Sequence, residues 1–150
     1  PLPYGRGGSP IQNLILEGFD EAPVCAIKMT RELDSGPIYA SSYISLDGTL
    51  KEIFSRINVS VNDLILEITE NNPSAVPQRG TPHIFKRLSI EDNKIPIGLE
   101  LKEIYDRIRM VVHNDYPNAF ITYENIKIEF SGAKIVNDRL EAACVIKKLT

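Results

Sequence analysis

In the first half of the chain the spacing of apolar positions changes repeatedly, and each change marks a new element. Ile11, Leu14 and Ile15 share one face of a helical period that begins at Ser9-Pro10 and stops at Gly18. Ser9 and Gln12 have capping-box spacing, and Pro10 suits the first helical position. The unbroken apolar run in APVCAIKMT predicts a buried strand, RELDSG a turn, and PIYASSYIS a second strand. Thr49 and Glu52 repeat the capping-box spacing ahead of the longest helix. Its stripe of Ile53, Phe54, Ile57, Val61, Leu64, Ile65 and Ile68 is expected to be core rather than a partner groove. AVPQR is compatible with a short edge strand, because Pro77 has no N–H to give a central ladder.

From Gly80 the period disappears. RGTPHIFKRLSIEDNKIPIG carries prolines and glycines without a repeat and reads as a connector. A further helix is predicted with Leu101, Ile104, Tyr105, Ile108 and Val112 on one side. The alternation in AFITYENIKIEFSGAKIV then predicts a hairpin turning at Glu124-Asn125, with little left after it. The pattern gives α/β organisation over residues 1–79, a linker over 80–98 and a small α+β unit over 99–150.

Composition narrows the picture. Of the 150 residues 43% are hydrophobic and 25% charged, a globular profile, and the net charge of -3 gives no basic footprint over the surface as a whole. No apolar run approaches the roughly 18 residues that cross a bilayer, and no leader is visible, so a cytoplasmic protein without a membrane role is expected. Cys25 and Cys144 are far apart and lack metal-ligand spacing; they are expected to be buried free thiols, and no metal is expected. Asn58-Val59-Ser60 matches a glycosylation acceptor inside a helical pattern and is taken as coincidence.

Two short stretches carry the candidate chemistry. GRGGS lacks the Gly-Lys-Ser/Thr ending of a phosphate loop and does not form GxGxxG after a strand, so alone it is a structural turn before a helix. LDSG alone is good turn chemistry. His83 beside Pro82 and His113 near a helix end have no partner constellation, and Lys86-Arg87 reads as a solvated loop.

In order and spacing, however, LPYGRGGSPIQNLILEG followed by APVCAIKMTRELDSGPIYASSYIS resembles the formyltransferases that use 10-formyltetrahydrofolate, a family that includes methionyl-tRNA formyltransferase and the sugar N-formyltransferases. Leu2, Pro3, Arg6, Gly7, Pro10, Ile11 and Gly18 meet the first part of the family pattern, and Leu33, Asp34, Ser35, Gly36 and Pro37 the second. FKRLSIEDNKI and EIYDRIRMVVHNDYPNAFITYENIKI resemble the family's linker and C-terminal unit.

The resemblance implies part of a Rossmann-like catalytic domain over 1–79, followed by the linker and a small OB-like C-terminal subdomain. It places an essential Asn and His upstream of Pro1, so the chain is expected to be the C-terminal portion of such an enzyme, with its catalytic site incomplete without them. It implies formyl transfer from 10-formyltetrahydrofolate to a primary amine. The absent Asn and His would stabilise the oxyanion, and Asp34 would pair with that His and help take the amine proton. Pro1, Leu2, Pro3, Gly8, Thr30, Arg31, Glu32, Leu33 and Asp34 are implied on the folate side, although Gly8 stands where some relatives carry Arg.

Two acceptors fit the family: a nucleotide-linked amino sugar and the amino group of initiator methionyl-tRNA. Residues 84–150 hold 11 Lys/Arg against 10 Asp/Glu, and YGRGGSPIQN is closer to the sugar-modifying branch, so the amino-sugar nucleotide is placed first and the tRNA second. A non-catalytic fragment or interaction module is a third reading, and the short C-terminal unit could pair subunits into a homodimer.

Overall fold

The computed structural model describes residues 1–111 and 116–149; Val112 and His113 lie outside the described residues. Two compact units are present, one made of Pro1–Asp47 and Glu52–Arg87, the other of Gly48–Lys51 and Leu88–Thr150. Both mix helices with short sheets.

In the first unit β1 (Tyr4–Gly7) leads into α1 (Pro10–Leu16), followed by the hairpin of β2 (Glu21–Ile27) and β3 (Ile38–Ser45) and by α2 (Leu50–Asn71). A short strand, β4 (His83–Phe85), then pairs parallel to β1. Two of these strands correct the sequence reading. The glycine-rich stretch was expected to be a turn and the segment after Gly80 an irregular connector, yet each supplies one strand of the β1–β4 pair. Three-residue and glycine-rich strands carry no period to detect, and only the partner across the unit creates them. AVPQR forms no strand, only a single bridge between Ile38 and Val76. The strands of this unit form two two-stranded sheets, so no Rossmann-like sheet occurs among the described residues.

Helix α1 ends as its sequence predicts. Gly18, at φ +80°, follows the last turn, with Gly18 N–H donating to Ile15 O and Phe19 N–H to Leu14 O, both at 3.0 Å. Its start differs from the expected capping box. Ser9 adopts the left-handed conformation and makes no side-chain cap bond, because a cap needs extended backbone there. Asn13 takes over, its Nδ2 donating to Gly8 O, Ser9 O and Lys86 O at 3.0 Å each. The helix sets Leu14 and Ile15 in the core, together with Ala22, Ala40, Ile44, Leu46 and Phe85. Strand β2 is less buried than its apolar run suggested: only Ala22 is fully covered.

The stripe of α2 is also only partly core. Ile53 and Leu64 are buried, but Val61 is 37% and Ile65 54% exposed. The 22-residue helix carries a longer apolar stripe than the described residues cover.

In the second unit a 3-10 turn at Ile90–Asn93 precedes α3 (Leu101–Arg109). β5 (Ala119–Tyr123), β6 (Ile126–Val136) and β7 (Arg139–Lys148) follow as an antiparallel meander. The hairpin turn falls at Glu124-Asn125 as read, with Tyr123 opposite Ile126. The chain beyond it, expected to hold little, instead forms β7, ten residues long. Its turn is Asn137-Asp138, both at positive φ, the backbone of a tight hairpin without the usual glycine signal.

Ile108, Met110, Val111, Ala119, Phe120 and Ile95 are buried here. The buried side of α3 also takes Asp106 and Arg109, whereas Leu101, expected on the core face, is 42% exposed. Both cysteines are free, but Cys25 is only half-buried and Cys144 is exposed on β7, against the expectation of buried thiols.

Candidate functional site

The first unit gathers its chemistry at one place, the junction of β1 with the loop that joins β2 to β3. That loop is tight by construction. Lys28 N–H donates to Pro37 O at 2.9 Å, and a Cβ on Gly36 would lie 1.7 Å from Lys28 O, so only glycine fits. Thr30 and Ser35 brace the intervening residues: both hydroxyls donate to Glu32 O at 3.0 Å, and they lie 2.9 Å from each other.

At the end of this loop Asp34 takes φ +52°, a conformation that Asp tolerates better than most residues because its short side chain bonds locally. The carboxylate turns toward the glycine-rich strand, where Oδ2 accepts the Gly7 N–H at 2.9 Å.

The backbone of the same turn is held by Gln78. Its Nε2 donates to Asp34 O and Gly36 O, both at 2.8 Å. Its Oε1 accepts from Arg6 Nη2 at 2.7 Å and Arg6 Nε at 3.2 Å. Beside the turn lies a cleft of about 280 Å³ lined by Asp34, Pro1, Leu2 and Gly5 together with apolar residues of β2, including Cys25 and Ile27. The lining is mainly hydrocarbon, with one carboxylate at its margin, a composition common to small-molecule clefts.

Of the residues expected at the site, the structure brings Pro1, Leu2 and Asp34 together around this cleft. Pro3 is buried next to them. Thr30, Arg31, Glu32 and Leu33 are exposed on the loop, Leu33 at 72%, and are not among the lining residues. Gly8 packs on β4's continuation: a Cβ there would come within 2.5 Å of Arg87 Cα and Cβ, so a larger residue in this register would displace the chain. His83 stacks on Tyr4, with ring centroids 4.7 Å apart, and meets Phe85 edge-on, which is packing. His113 lies outside the described residues. No group of three or more candidate metal ligands occurs among the described residues.

Sequence reasoning missed Gln78. A glutamine in a proline-flanked stretch carries no periodic or compositional signal, and its importance lies in four long-range bonds.

Residues 90–147 match the family model described as the C-terminal domain of methionyl-tRNA formyltransferase. The chain is 30% identical over 151 aligned positions to the methionyl-tRNA formyltransferase of a Sulfurihydrogenibium species, covering 94% of this chain and 47% of that protein. A solved methionyl-tRNA formyltransferase from Clostridium thermocellum superposes with a TM-score of 0.92 at 38% identity, over 98% of this chain and 65% of that one. An N-formyltransferase from Helicobacter canadensis, solved with folinic acid and dTDP-3-aminofucose, shares the fold at a TM-score of 0.68 but only 15% identity, over 98% of this chain and 62% of that one. The chain thus spans about half the length of the curated relatives it matches. The formyltransferase resemblance carried by the two short motifs is borne out over nearly the whole chain.

Proposed function

Homology to the formyltransferases is the premise from which we propose that this chain supplies part of a site for formyl transfer from 10-formyltetrahydrofolate to a primary amine. The observation that carries the reading is the Asp34 carboxylate, fixed by the Gly7 N–H at 2.9 Å on the margin of an apolar cleft. Attack of an amine on a formyl carbon releases a proton from nitrogen, and a carboxylate held in one direction accepts it directly or through an imidazole or water. One oxygen of Asp34 is committed to Gly7, which leaves the other to face that proton. Apolar surface from Pro1, Leu2 and Cys25, with the Asp34 carboxylate beside it, supports a folate ring approaching this side of the site. The folate supplies the formyl group, and the chain's own residues orient it, exclude water and take the proton. The remaining members of the loop, Thr30 to Leu33, would close on the cofactor's outer edge, and the second unit corresponds to the OB-like subdomain of the family.

For the acceptor, the relatives favour initiator methionyl-tRNA over the amino-sugar nucleotide that the sequence reading placed first. The more similar relatives and the more similar solved structure are methionyl-tRNA formyltransferases, whereas the sugar enzyme shares the fold alone. A near-neutral second unit does not decide against tRNA, since the chain spans only part of its relatives. A cytoplasmic location accords with this reading.

The test is formylation by the polypeptide that carries this chain, with 10-formyltetrahydrofolate and either methionyl initiator tRNA or a nucleotide-linked amino sugar. Turnover on the tRNA is expected. Turnover on the sugar alone would transfer the acceptor assignment. Inactivity on both, with no binding of 5-formyltetrahydrofolate, would leave a non-catalytic module.

A further inference from the structure

We infer that Gln78 is the positioning residue that sets the direction of the Asp34 carboxylate, acting as a molecular tie between β1 and the acidic turn. This rests on the reading of Asp34 as the carboxylate that handles the amine proton.

The geometry leaves the amide no freedom. Arg6 can only donate, and the carbonyls of Asp34 and Gly36 can only accept. Oε1 must therefore face Arg6 and Nε2 the turn, so the assignment of oxygen and nitrogen follows from the partners themselves. Both hydrogens and both lone pairs are engaged in this half-buried position.

The bonds also close a ring. From Gln78 one path runs through Arg6 to its neighbour Gly7, whose N–H holds Asp34 Oδ2. The other runs straight to Asp34 O and Gly36 O. A single side chain thus fixes the backbone of the turn and, through Arg6, the strand that receives the carboxylate. The tie adds to what the turn itself supplies, because Asp34 sits at φ +52°, a left-handed position that residues with a Cβ keep only where local bonds and surroundings favour it.

A same-sized glutamate cannot substitute. It still accepts from Arg6 but has no hydrogen for the two carbonyls, and it would set its second oxygen against them. Methionine keeps the length and loses all four bonds.

The experiment compares Gln78→Met and Gln78→Glu with the parent in the polypeptide that carries this chain, reading steady-state kinetics and the Gly7 amide resonance through a pH titration. In the parent the Gly7 N–H lies 2.9 Å from Asp34 Oδ2 and so reports on the placement of that carboxylate. Both variants are expected to lose about tenfold or more in kcat with KM for donor and acceptor within about twofold, and the pH-dependent displacement of the Gly7 resonance is expected to fall by more than half. An unchanged Gly7 titration in a folded variant overturns the inference whatever happens to kcat. A lost Gly7 titration with unchanged kcat supports Gln78 as the tie while overturning Asp34 as the proton acceptor, which separates the two claims. Should Gln78→Met fail to fold, Gln78→Asn, too short to span both partners, reads the same two signals.

Discussion

The two units each tie one carboxylate to an arginine, and they do so for different ends. In the first, Asp34 never touches Arg6; a neutral glutamine stands between them and binds backbone on the Asp34 side. The carboxylate keeps an oxygen for outside chemistry. In the second, Asp106 meets Arg109 directly, Oδ1 to Nε at 2.6 Å, and Lys102 Nζ at 2.9 Å. Arg109 then donates to Gly48 O at 2.8 Å, and its guanidinium lies 5.5 Å from the centre of the Tyr105 ring. With side-chain exposures of 7% and 5%, this acid and base are sealed and spent on structure. A carboxylate poised for proton transfer is held by few, directional bonds near a cleft, whereas a structural one is neutralised.

That contrast can be broken in order of expected effect. Asp34→Asn retains an oxygen for the Gly7 N–H and a residue type at ease in the left-handed region, so its melting temperature is expected to stay close to the parent's while turnover falls by about 10²–10⁴-fold. Near-parental turnover would remove Asp34 from the chemistry. Asp106→Ala is expected to behave in the opposite way, costing about 3–5 kcal/mol in denaturant unfolding because it removes the carboxylate that balances a buried guanidinium charge. Replacing Asp106 and Arg109 together with Leu and Met should recover most of that loss; a double variant as unstable as the single one would refute the ion-pair account. Gly36→Ala inserts a Cβ 1.7 Å from Lys28 O and is expected to cost about 1–3 kcal/mol or more, read by thermal unfolding.

The smallest effect concerns acid. The Lys147 ammonium, 2.5 Å from Glu129 and helped by Lys127, holds the Glu129 carboxyl below its ordinary value of 4.5, against a weaker upward pull from burial. A group with a depressed folded-state value adds stability above its unfolded value, and that contribution is lost as pH falls through the folded one. Glu129→Gln should therefore remove about 0.2–1 kcal/mol at neutral pH and none in strong acid, since the pair is solvent-screened. A constant difference across the acid range would contradict the assignment.

The role expected of Asp34 came from the resemblance to formyltransferases, not from the turn residues alone. The Asp34 turn, the Gly18 helix stop, the β2–β3 hairpin and the Glu124-Asn125 turn were all legible, since each depends on local chemistry: positive φ, capping and alternation. The β1–β4 pair was not, because neither strand has a pattern of its own. The α3 face was misread because a buried Asp–Arg pair imitates a solvated side in any hydropathy scale. The third strand of the second unit was overlooked because Asn137-Asp138 turns the chain without glycine.

By itself, then, the sequence determined the local bends and the kinship with formyltransferases, both written in residues close together along the chain. The three-dimensional arrangement decided which way Asp34 faces and that Gln78, remote in sequence, holds it there. A hydrogen bond across 44 positions has no local signature, since its donor and acceptor acquire meaning only once backbone closure brings them within 2.8 Å.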